Sequence, residues 1–555
     1  MINAFLKKHH RILFYGGWLL INLLQAASTE LFDDEAYYWM YTQFPAWGYF
    51  DHPPMIAWVI QTGYAVFHNE AGVRLLIVFM NIGTLWLIER LLNKKNPFLF
   101  YAICGSMAIV QIGGILAVPD LPLLFFAALY FNCYRRFLHS ASIGNSLLLG
   151  AVIALMLYSK YHGVLIVLFT LLSNLALFRN GKMYLVGAVA FLLFIPHLYW
   201  QYLNDFPSVQ FHLFERNAAS YKFSFTLDFL GGQLLLAGPL IGWLLIWAAF
   251  KSETINKTEK ALKFTMAGFY LFFLLSTLKG RVEANWTVPA MIGIIVLSHQ
   301  FLAGRNISKW VYKTLPVSLL LVLGVRIYMG VDLPKSDRIA KDEFHNNKNV
   351  VAYFLQQASG RPVVFINSYQ KSSKHWFYSR QTSFSLNTPA YRRNNYNYWP
   401  IEDSLYGKEV LVTGKFDTSI LTKRVNLPGF DSAGMQIIEH YYSFSKVQLK
   451  NIQVLRQQSP VPVRFSIEAP LHYLTYFQNF PSDTATIQLA VYTKDSIYYF
   501  PSSFAISTIV APLSRAEAVF NTSLLKGTYK ARLAISSAVA GHPSLNSLGF
   551  DLKID

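Results

Sequence analysis

The chain has 555 residues, of which 53% are hydrophobic and 16% aromatic, and its formal net charge is +18. A composition this apolar excludes an ordinary soluble protein and predicts a polytopic membrane protein. The basic charge then indicates Lys- and Arg-rich cytoplasmic loops rather than nucleic-acid binding. Both cysteines, Cys104 and Cys133, fall in apolar segments, so the sequence predicts neither a disulfide framework nor a thiolate metal site.

Eleven apolar segments can serve as membrane spans, if some are short and shielded by their neighbours. They lie near residues 11–30, 72–92, 97–117, 119–138, 144–160, 161–178, 183–203, 228–250, 261–279, 286–303 and 310–329. The first follows a basic start and resembles a signal peptide. Because ten more apolar segments follow, an uncleaved first span is the better interpretation.

The breaks between these segments alternate in charge. One set is rich in Lys and Arg and marks the cytoplasmic side by the positive-inside rule. The other set comprises the acidic loop 32–58, Asp120, the turn 159–163, the loop 204–227 and the segment 278–286. We therefore expect a cytoplasmic amino terminus in an inner (plasma) membrane. The five segments of the second set and everything after Gly330 would be periplasmic.

Composition changes after Gly330, where no apolar run is long enough to span a membrane. One helical segment and two β-rich runs predict an outer α/β domain over 331–430: 349–358, 361–367 and 408–414. Three alternating segments predict a β-sandwich-like domain over 431–555: 461–469, 484–493 and 527–536. The fold class is therefore a mostly α membrane domain, residues 1–330, followed by an α/β and β-rich soluble region.

The loop 32–58 gathers several titratable groups among aromatic residues: Asp33, Asp34, Glu35, Asp51 and His52. Carboxylates beside membrane spans are expensive unless they meet water, a cation or a partner, so they are functional candidates. The alternative is a solvated loop that happens to be acidic.

A helix is predicted to begin at the Asp34-Glu35 pair. Its aromatic residues suit a helix lying along the membrane interface with its rings at headgroup level: Tyr37, Tyr38, Trp39 and Tyr41. A carboxylate at its start could take a proton from an acceptor hydroxyl. It could equally be a helix N-terminal acid favoured by the dipole, and the residues alone leave both interpretations open.

Asp51 and His52 precede two prolines and could offer an oxygen and a nitrogen to a divalent cation or to a phosphate. Two ligands do not make a metal site, so Asp34 or His162 would have to complete it. A capping Asp beside an exposed His is the alternative.

Basic residues are few in the second set of segments. The available phosphate partners there are Lys160, His162, Arg216, Lys279 and Arg281. Each could instead extend along the span end to reach lipid headgroups. Asp120, at the start of a span, is either a helix cap or a site carboxylate.

Six motifs carry a resemblance to a known family: DEAYYW (34–39), GYFDHPP (48–54), PDLPLLFF (119–126), SKYHG (159–163), PHLYW (196–200) and RVEANW (281–286). Together they resemble the membrane glycosyltransferases of the GT-C fold, in particular the bacterial relatives of protein O-mannosyltransferases and of the aminoarabinose transferase that modifies lipid A. The resemblance covers roughly residues 10–400. It implies a polyprenyl phosphate monosaccharide as donor and inversion of the anomeric centre.

The resemblance also implies roles for residues. Asp34 would be the base, with Glu35 beside it, and Asp51 a metal ligand. Where the aminoarabinose transferases have a Glu-Lys pair, this chain has Asp51-His52, which weakens the phosphate role there and admits His52 as a metal ligand. The donor phosphate would be held by Lys160 and Arg281, with Arg216 and His162 as further candidates. The remaining site residues would be Tyr38, Asp120, Glu283 and Asn285.

The implied reaction is a single displacement without a nucleotide cofactor, and it leaves a divalent metal ion open. The partners would be the lipid-linked donor, the bilayer and an acceptor glycolipid, lipid A, polysaccharide or protein, with no nucleic acid. Neither the sugar nor the acceptor follows from the sequence. A lipid-linked sugar flippase or transporter, or a noncatalytic glycolipid-binding protein, stays open as an alternative. A transporter would more often show charges near the midplane and broken helices, which the sequence does not reveal.

Overall fold

The structure is a computed structural model, and it describes residues 2–94, 96–212, 221–333, 342–415, 423–427, 430–481 and 483–555. The chain divides into two compact units, Met1–Ala340 and Lys341–Asp555. In their described parts the first unit is helical and the second combines an α/β part with a β-rich part.

The α-helices of the first unit are α1 (Ile2–Ser28), α2 (Asp33–Gln43), α3 (Met55–Tyr64), α4 (Glu70–Leu91), α5 (Pro97–Ser106), α6 (Ala108–Gln111), α7 (Asp120–His139), α8 (Ile143–Ser159), α9 (Gly163–Ser173), α10 (Gly181–Leu203), α11 (Pro207–Gln210), α12 (Phe223–Ala237), α13 (Gly242–Lys251), α14 (Lys257–Ser276), α15 (Ala290–Leu302) and α16 (Lys309–Gly330). Several begin at an Asn whose side chain accepts a backbone N–H of the first turn, as Asn69, Asn96 and Asn256 do. Such caps satisfy donors that a helix end leaves without partners.

Within the described residues, three helical segments are long and apolar enough to cross a membrane: α4, α10 and Asn306–Gly330. Three further pairs would qualify as single spans, but each is sharply bent at a short break: α1 with α2 by 83°, α5 with the segment Ala108–Ile115 by 86°, and α12 with α13 by 89°. The predicted spans 97–117 and 228–250 are therefore not continuous helices. Broken helices, which the sequence did not reveal, are present, and the number of eleven spans stays a prediction.

The aromatic residues of α2 directly follow the bend between α1 and α2. The sequence places their rings at lipid headgroup level, but the structure buries all four inside the protein: Tyr37, Tyr38, Trp39 and Tyr41. The interfacial placement of these rings is therefore wrong. The physical reason is that α2 packs on α3 and on the loop before it, so neighbouring protein supplies the apolar contacts that lipid would otherwise give.

The second unit contains α17 (Asn347–Ala358), α18 (Tyr369–Ser379) and α19 (Leu471–Asn479). Its strands are β1 (Val363–Ile366), β2 (Ser383–Leu386), β3 (Val410–Gly414), β4 (Lys423–Leu427), β5 (Phe430–Ile438), β6 (Gln448–Val454), β7 (Val461–Glu468), β8 (Thr486–Tyr492), β9 (Ile497–Ala505), β10 (Leu513–Phe520), β11 (Gly527–Ile535), β12 (Ser544–Leu545) and β13 (Phe550–Ile554). The predicted helix 349–358 is confirmed, as are the five strands predicted in this region.

The strands of the second unit form three sheets. The first has the order β2-β1-β3-β5-β4, with β1, β2 and β3 parallel, and α17 packs on it through Phe354. Because β5 completes this sheet, the α/β part extends to Ile438. The antiparallel sheets β10-β7-β6 and β12-β11-β8-β9 share one apolar core that includes Phe465, Leu489 and Leu533, and β13 pairs with β11. Alternating burial along β7 is what this two-sheet arrangement requires.

Candidate active site

The turn between α8 and α9, residues 160–162, is the centre of the candidate site. Its three side chains reach three different parts of the first unit. Lys160 donates from Nζ to Asp120 Oδ1 at 2.7 Å, and both side chains are buried. Tyr161 bonds with His197 of α10, and His162 packs between the rings of Phe273 and Trp286. One tight turn therefore joins segments that are far apart in the sequence.

Asp120 is the acceptor for two of the predicted site residues. Its second carboxylate oxygen, Oδ2, accepts a hydrogen bond of 3.0 Å from Asn285 Nδ2. Asn285 lies in a 3-10 turn, Ala284–Thr287, directly before α15. The carboxylate thus bridges an ammonium and an amide, and it uses one of the three N–H donors of Lys160. The two others can serve an anion.

Tyr161 connects this group to the acidic loop. Nδ1 of His197 lies 2.8 Å from the carbonyl oxygen of Trp47, so Nδ1 carries the donated proton and Nε2 accepts from the Tyr161 hydroxyl at 3.0 Å. Gln201 donates to the same hydroxyl, and also to Ser208, which donates to the carbonyl of Tyr49. These bonds link the 160–162 turn to the acidic loop through the carbonyls of Trp47 and Tyr49.

Asp51 and His52 lie on this same loop and contact α2. The Tyr37 hydroxyl donates to Asp51 Oδ2 at 2.6 Å, and the Tyr38 ring packs edge-on against His52. The carbonyl of Asp51 lies 3.1 Å from Nε2 of His212. Among the described residues, Asp51 and His52 do not join a third His, Cys or carboxylate in a cluster with metal-binding spacing. Their metal role stays a prediction.

The two acids that begin α2 have different surroundings. Asp34 is half-buried and precedes Tyr37 and Tyr38 by one helical turn, which places it on the side of α2 that faces Asp51 and His52. Glu35 is fully buried and bound to Arg74 by two hydrogen bonds of 2.7 and 2.5 Å. It also accepts from the backbone N–H groups of Ala117 and Phe32.

Arg74 was not among the residues that the sequence singled out. Its remaining N–H donors go to the carbonyls of Ala26, Thr29 and Glu30, so all five guanidinium N–H groups are used. A buried pair this fully hydrogen-bonded closes the bend between α1 and α2 and favours a structural role for Glu35. The signal was present in the sequence as an Arg inside an apolar segment, which is rare without a partner.

Arg281 and Glu283 lie on the exposed segment before the 3-10 turn. They form an ion pair of 3.5 Å in which the side chains are 68% and 46% exposed. Arg216 lies outside the described residues. Hydrogen bonds join Lys160, Asp120 and Asn285. From the adjacent Tyr161, a second set of bonds runs through His197 and Gln201 to the loops 32–58 and 204–227. Asp51 lies on the first of these loops and contacts Tyr37 and His212. Arg281 lies on the exposed segment, four residues before Asn285.

The fold of the chain is the GT-C fold. The structure superimposes on ArnT from Cupriavidus metallidurans with a TM-score of 0.58, covering 77% of this chain and 98% of that one at 13% identity. The undecaprenyl phosphate complex of the same ArnT gives a TM-score of 0.57 at 13% identity, covering 76% of this chain and 97% of that one. At this identity the match shows the fold.

Sequence comparison finds similarity to one protein family and to two individual glycosyltransferases. Residues 51–200 match the family described as dolichyl-phosphate-mannose-protein mannosyltransferase. The chain is 24% identical over 323 residues to the lipid A galacturonosyltransferase RgtD of Rhizobium johnstonii, a match that covers 56% of this chain and 66% of RgtD, slightly under two thirds. The lipopolysaccharide core galacturonosyltransferase RgtB of that organism is 24% identical over 343 residues, 55% of this chain and 68% of RgtB. The chain is thus similar in sequence to lipid A, lipopolysaccharide core and protein glycosyltransferases, and similar in fold to ArnT.

Proposed function

We propose that this protein is an inverting membrane glycosyltransferase that moves a monosaccharide from a polyprenyl phosphate to an acceptor hydroxyl or phosphate. The observation that carries the proposal is the buried group Lys160–Asp120–Asn285 in a GT-C fold. A buried ammonium that keeps N–H donors beyond its carboxylate partner suits the phosphate of a lipid-linked donor. The ArnT structure with undecaprenyl phosphate supports a donor of that class.

In this mechanism the acceptor oxygen attacks the anomeric carbon while the bond from that carbon to the phosphate oxygen breaks. The phosphate leaves with the electron pair, and Lys160 stabilises the charge that develops on it. Arg281 adds a second cation to the phosphate from the exposed segment. His162, which packs against the rings of Phe273 and Trp286, lies in the same turn as Lys160 and is a further phosphate ligand. Arg216 remains a candidate for a third cation.

Asp34 takes the proton from the acceptor hydroxyl. Its half-buried position at the start of α2 leaves it accessible, whereas the carboxylate of Glu35 is already saturated by Arg74 and two backbone N–H groups. We therefore assign the base to Asp34 and the support of α2 to Glu35. Tyr38 and Glu283 would border the sugar.

A divalent ion would be held by Asp51 and His52, with a third ligand from donor phosphate or water. Oxygen and imidazole donors are chemically suited to such an ion. It would add Lewis-acid stabilisation of the leaving phosphate. The Tyr37 hydroxyl, bound to Asp51 Oδ2, would orient that carboxylate.

The names of the relatives favour lipid A or the lipopolysaccharide core as acceptor and a uronic acid as the sugar. Such an acceptor agrees with the predicted placement of the site on the periplasmic side of the inner membrane. The amino terminus would then be cytoplasmic and the second unit, Lys341–Asp555, periplasmic.

The test is sugar transfer by purified protein with a panel of polyprenyl phosphate sugars that includes galacturonic acid, and with lipid A as acceptor. Asp34→Asn is compared with Asp228→Asn, a matched change at an exposed position of α12. We expect transfer by the wild type and by Asp228→Asn, and its loss in Asp34→Asn. The same assay with a chelator added tests whether transfer requires a divalent metal ion. A protein that binds these donors but transfers none of them is a flippase or a binding protein, and the bent helices make that the outcome to exclude.

A further inference from the structure

Gln233 of α12 holds both ends of the 3-10 turn that carries Asn285. Its amide nitrogen donates to the carbonyl of Ala284 at 3.2 Å, and its amide oxygen accepts from the hydroxyl of Thr287. Gln233 and Thr287 are both buried. A single side-chain amide therefore uses its donor and its acceptor to close one four-residue turn.

The backbones of α12 and of this turn are also in close contact. An added Cβ at Gly232 would lie 2.7 Å from the Cβ of Ala284, closer than real carbon contacts come. The absence of a side chain at Gly232 thus permits the approach that lets Gln233 reach the turn. The same stretch of α12 supplies both the space and the hydrogen bonds.

Two contacts of the site depend on where this turn lies. Asn285 donates to Asp120, whose other oxygen binds Lys160, and Trp286 packs against His162. A shift of the turn would move the amide away from Asp120 and the indole away from His162. Both changes would alter the surroundings of the 160–162 turn, where the donor phosphate is proposed to bind.

The far end of α12 is fixed to the segment that leads to Asp120. Gly238 ends the helix with φ +131°, and a Cβ there would lie 2.7 Å from the carbonyl oxygen of Ser106, the last residue of α5. The bend after α12 therefore packs on the bend after α5, which continues toward α7 and Asp120.

We propose that Gln233 is a positioning residue for the donor-phosphate site: by fixing the turn Ala284–Thr287 it holds Asn285 on Asp120 and so sets the orientation of Asp120 toward Lys160. This inference rests on the proposed function. Gln233 touches neither the donor nor the acceptor, and it acts chiefly through Asn285, with Trp286 as the second residue of the turn that contacts the site.

The experiment is a double-mutant cycle between Gln233→Leu and Asn285→Ala, with kcat, KM and thermal unfolding measured for each protein. Loss of a hydrogen-bonding partner that orients a functional side chain typically costs about 10- to 100-fold in activity. We expect Gln233→Leu to lower kcat by about that factor in the wild-type background, with KM changed about twofold at most. In the Asn285→Ala background the same change should cost about twofold or less, because the path through Asn285 is already broken.

Thr287 offers a matched pair of variants for the same turn. Thr287→Val keeps the shape of the side chain and removes the hydroxyl donor. We expect its kcat to fall by about the same factor as that of Gln233→Leu. Thr287→Ser keeps the donor and should restore activity. Equal losses in both backgrounds of the cycle, or equal activities of the Val and Ser variants, would overturn the inference.

Failure of the proposed role of Gln233 and failure of the proposed glycosyltransferase function give different results. A wild type that transfers sugar while the cycle is additive overturns the inference alone. A wild type that binds undecaprenyl phosphate without transferring sugar overturns the proposed function alone, and the cycle is then measured on the Kd for that lipid. A wild type that neither binds nor transfers overturns both.

Discussion

Lys160 and Asp120 form a buried ion pair of 2.7 Å between the end of α8 and the start of α7. Removing one member of such a pair leaves an uncompensated charge, which costs about 3–5 kcal/mol of stability, whereas replacing both members can be nearly neutral. We therefore expect Lys160→Met and Asp120→Asn each to lower the unfolding temperature, and the double variant to recover most of the loss.

Activity should behave differently from stability in these variants, because the ammonium is also the proposed phosphate ligand. Transfer should be lost in Lys160→Met and should stay lost in the double variant, even where the fold recovers. Lys309→Met, at an exposed position of α16, serves as the control. Recovery of transfer in the double variant would contradict a direct role of Lys160 in catalysis.

Asp34 and Glu35 are adjacent but should respond to substitution in opposite ways. Glu35→Gln breaks the buried pair with Arg74, so we expect a loss of about 3–5 kcal/mol in the free energy of unfolding. Asp34→Asn should keep the fold within about 1 kcal/mol and abolish transfer. Thermal unfolding in detergent and a transfer assay on the same samples check this, and a stable but inactive Glu35→Gln would assign catalysis to Glu35 as well.

Arg281 should affect donor binding without affecting stability. Its exposed ion pair with Glu283 is worth about 0–1 kcal/mol. We expect Arg281→Ala to raise the KM for the lipid-linked donor and to weaken the salt dependence of kcat/KM, since a screened cation is removed. Glu283→Gln keeps the cation and is the informative comparison. If both variants raise KM equally, the ion pair rather than the cation is what matters.

The second unit should lose stability in mild acid because of His375 on α18. Burial lowers the pKa of His375 from its ordinary value of 6.5 to about 4. Between these two values the unfolded chain binds a proton that the folded chain does not, so stability falls as pH drops from 6.5 toward 4. The full effect is about 3 kcal/mol, at 1.36 kcal/mol for each pKa unit.

Unfolding followed between pH 4.5 and 7.5 checks this expectation, with His375→Gln as the variant. The variant should show a flatter pH dependence than the wild type, and the difference in slope should grow as the pH falls through 6.5. An unchanged slope would mean that other groups of the unit govern its acid sensitivity.

The sequence by itself determined the class of this protein and named the candidate residues of its site. Apolar composition and the alternation of charged loops are local signals, because each loop meets water or headgroups independently of distant residues. They sufficed to name Asp51, Asp120, Lys160 and Asn285 as candidates, and the structure joins Asp120, Lys160 and Asn285 by hydrogen bonds. The helix 349–358 and five strands of the second unit were likewise predictable, because alternation and propensity act over a few neighbours.

Only the tertiary structure decided which residue contacts which. The three bent helix pairs, the burial of the α2 aromatic residues and the ion pair of Glu35 with Arg74 all depend on partners distant in sequence. Glu35 is saturated because Arg74, 39 positions away, lies against it. Gln233 reaches the turn of Asn285 because Gly232 allows two backbones to touch. Such pairings follow from packing in three dimensions, and no pattern along the chain encodes them.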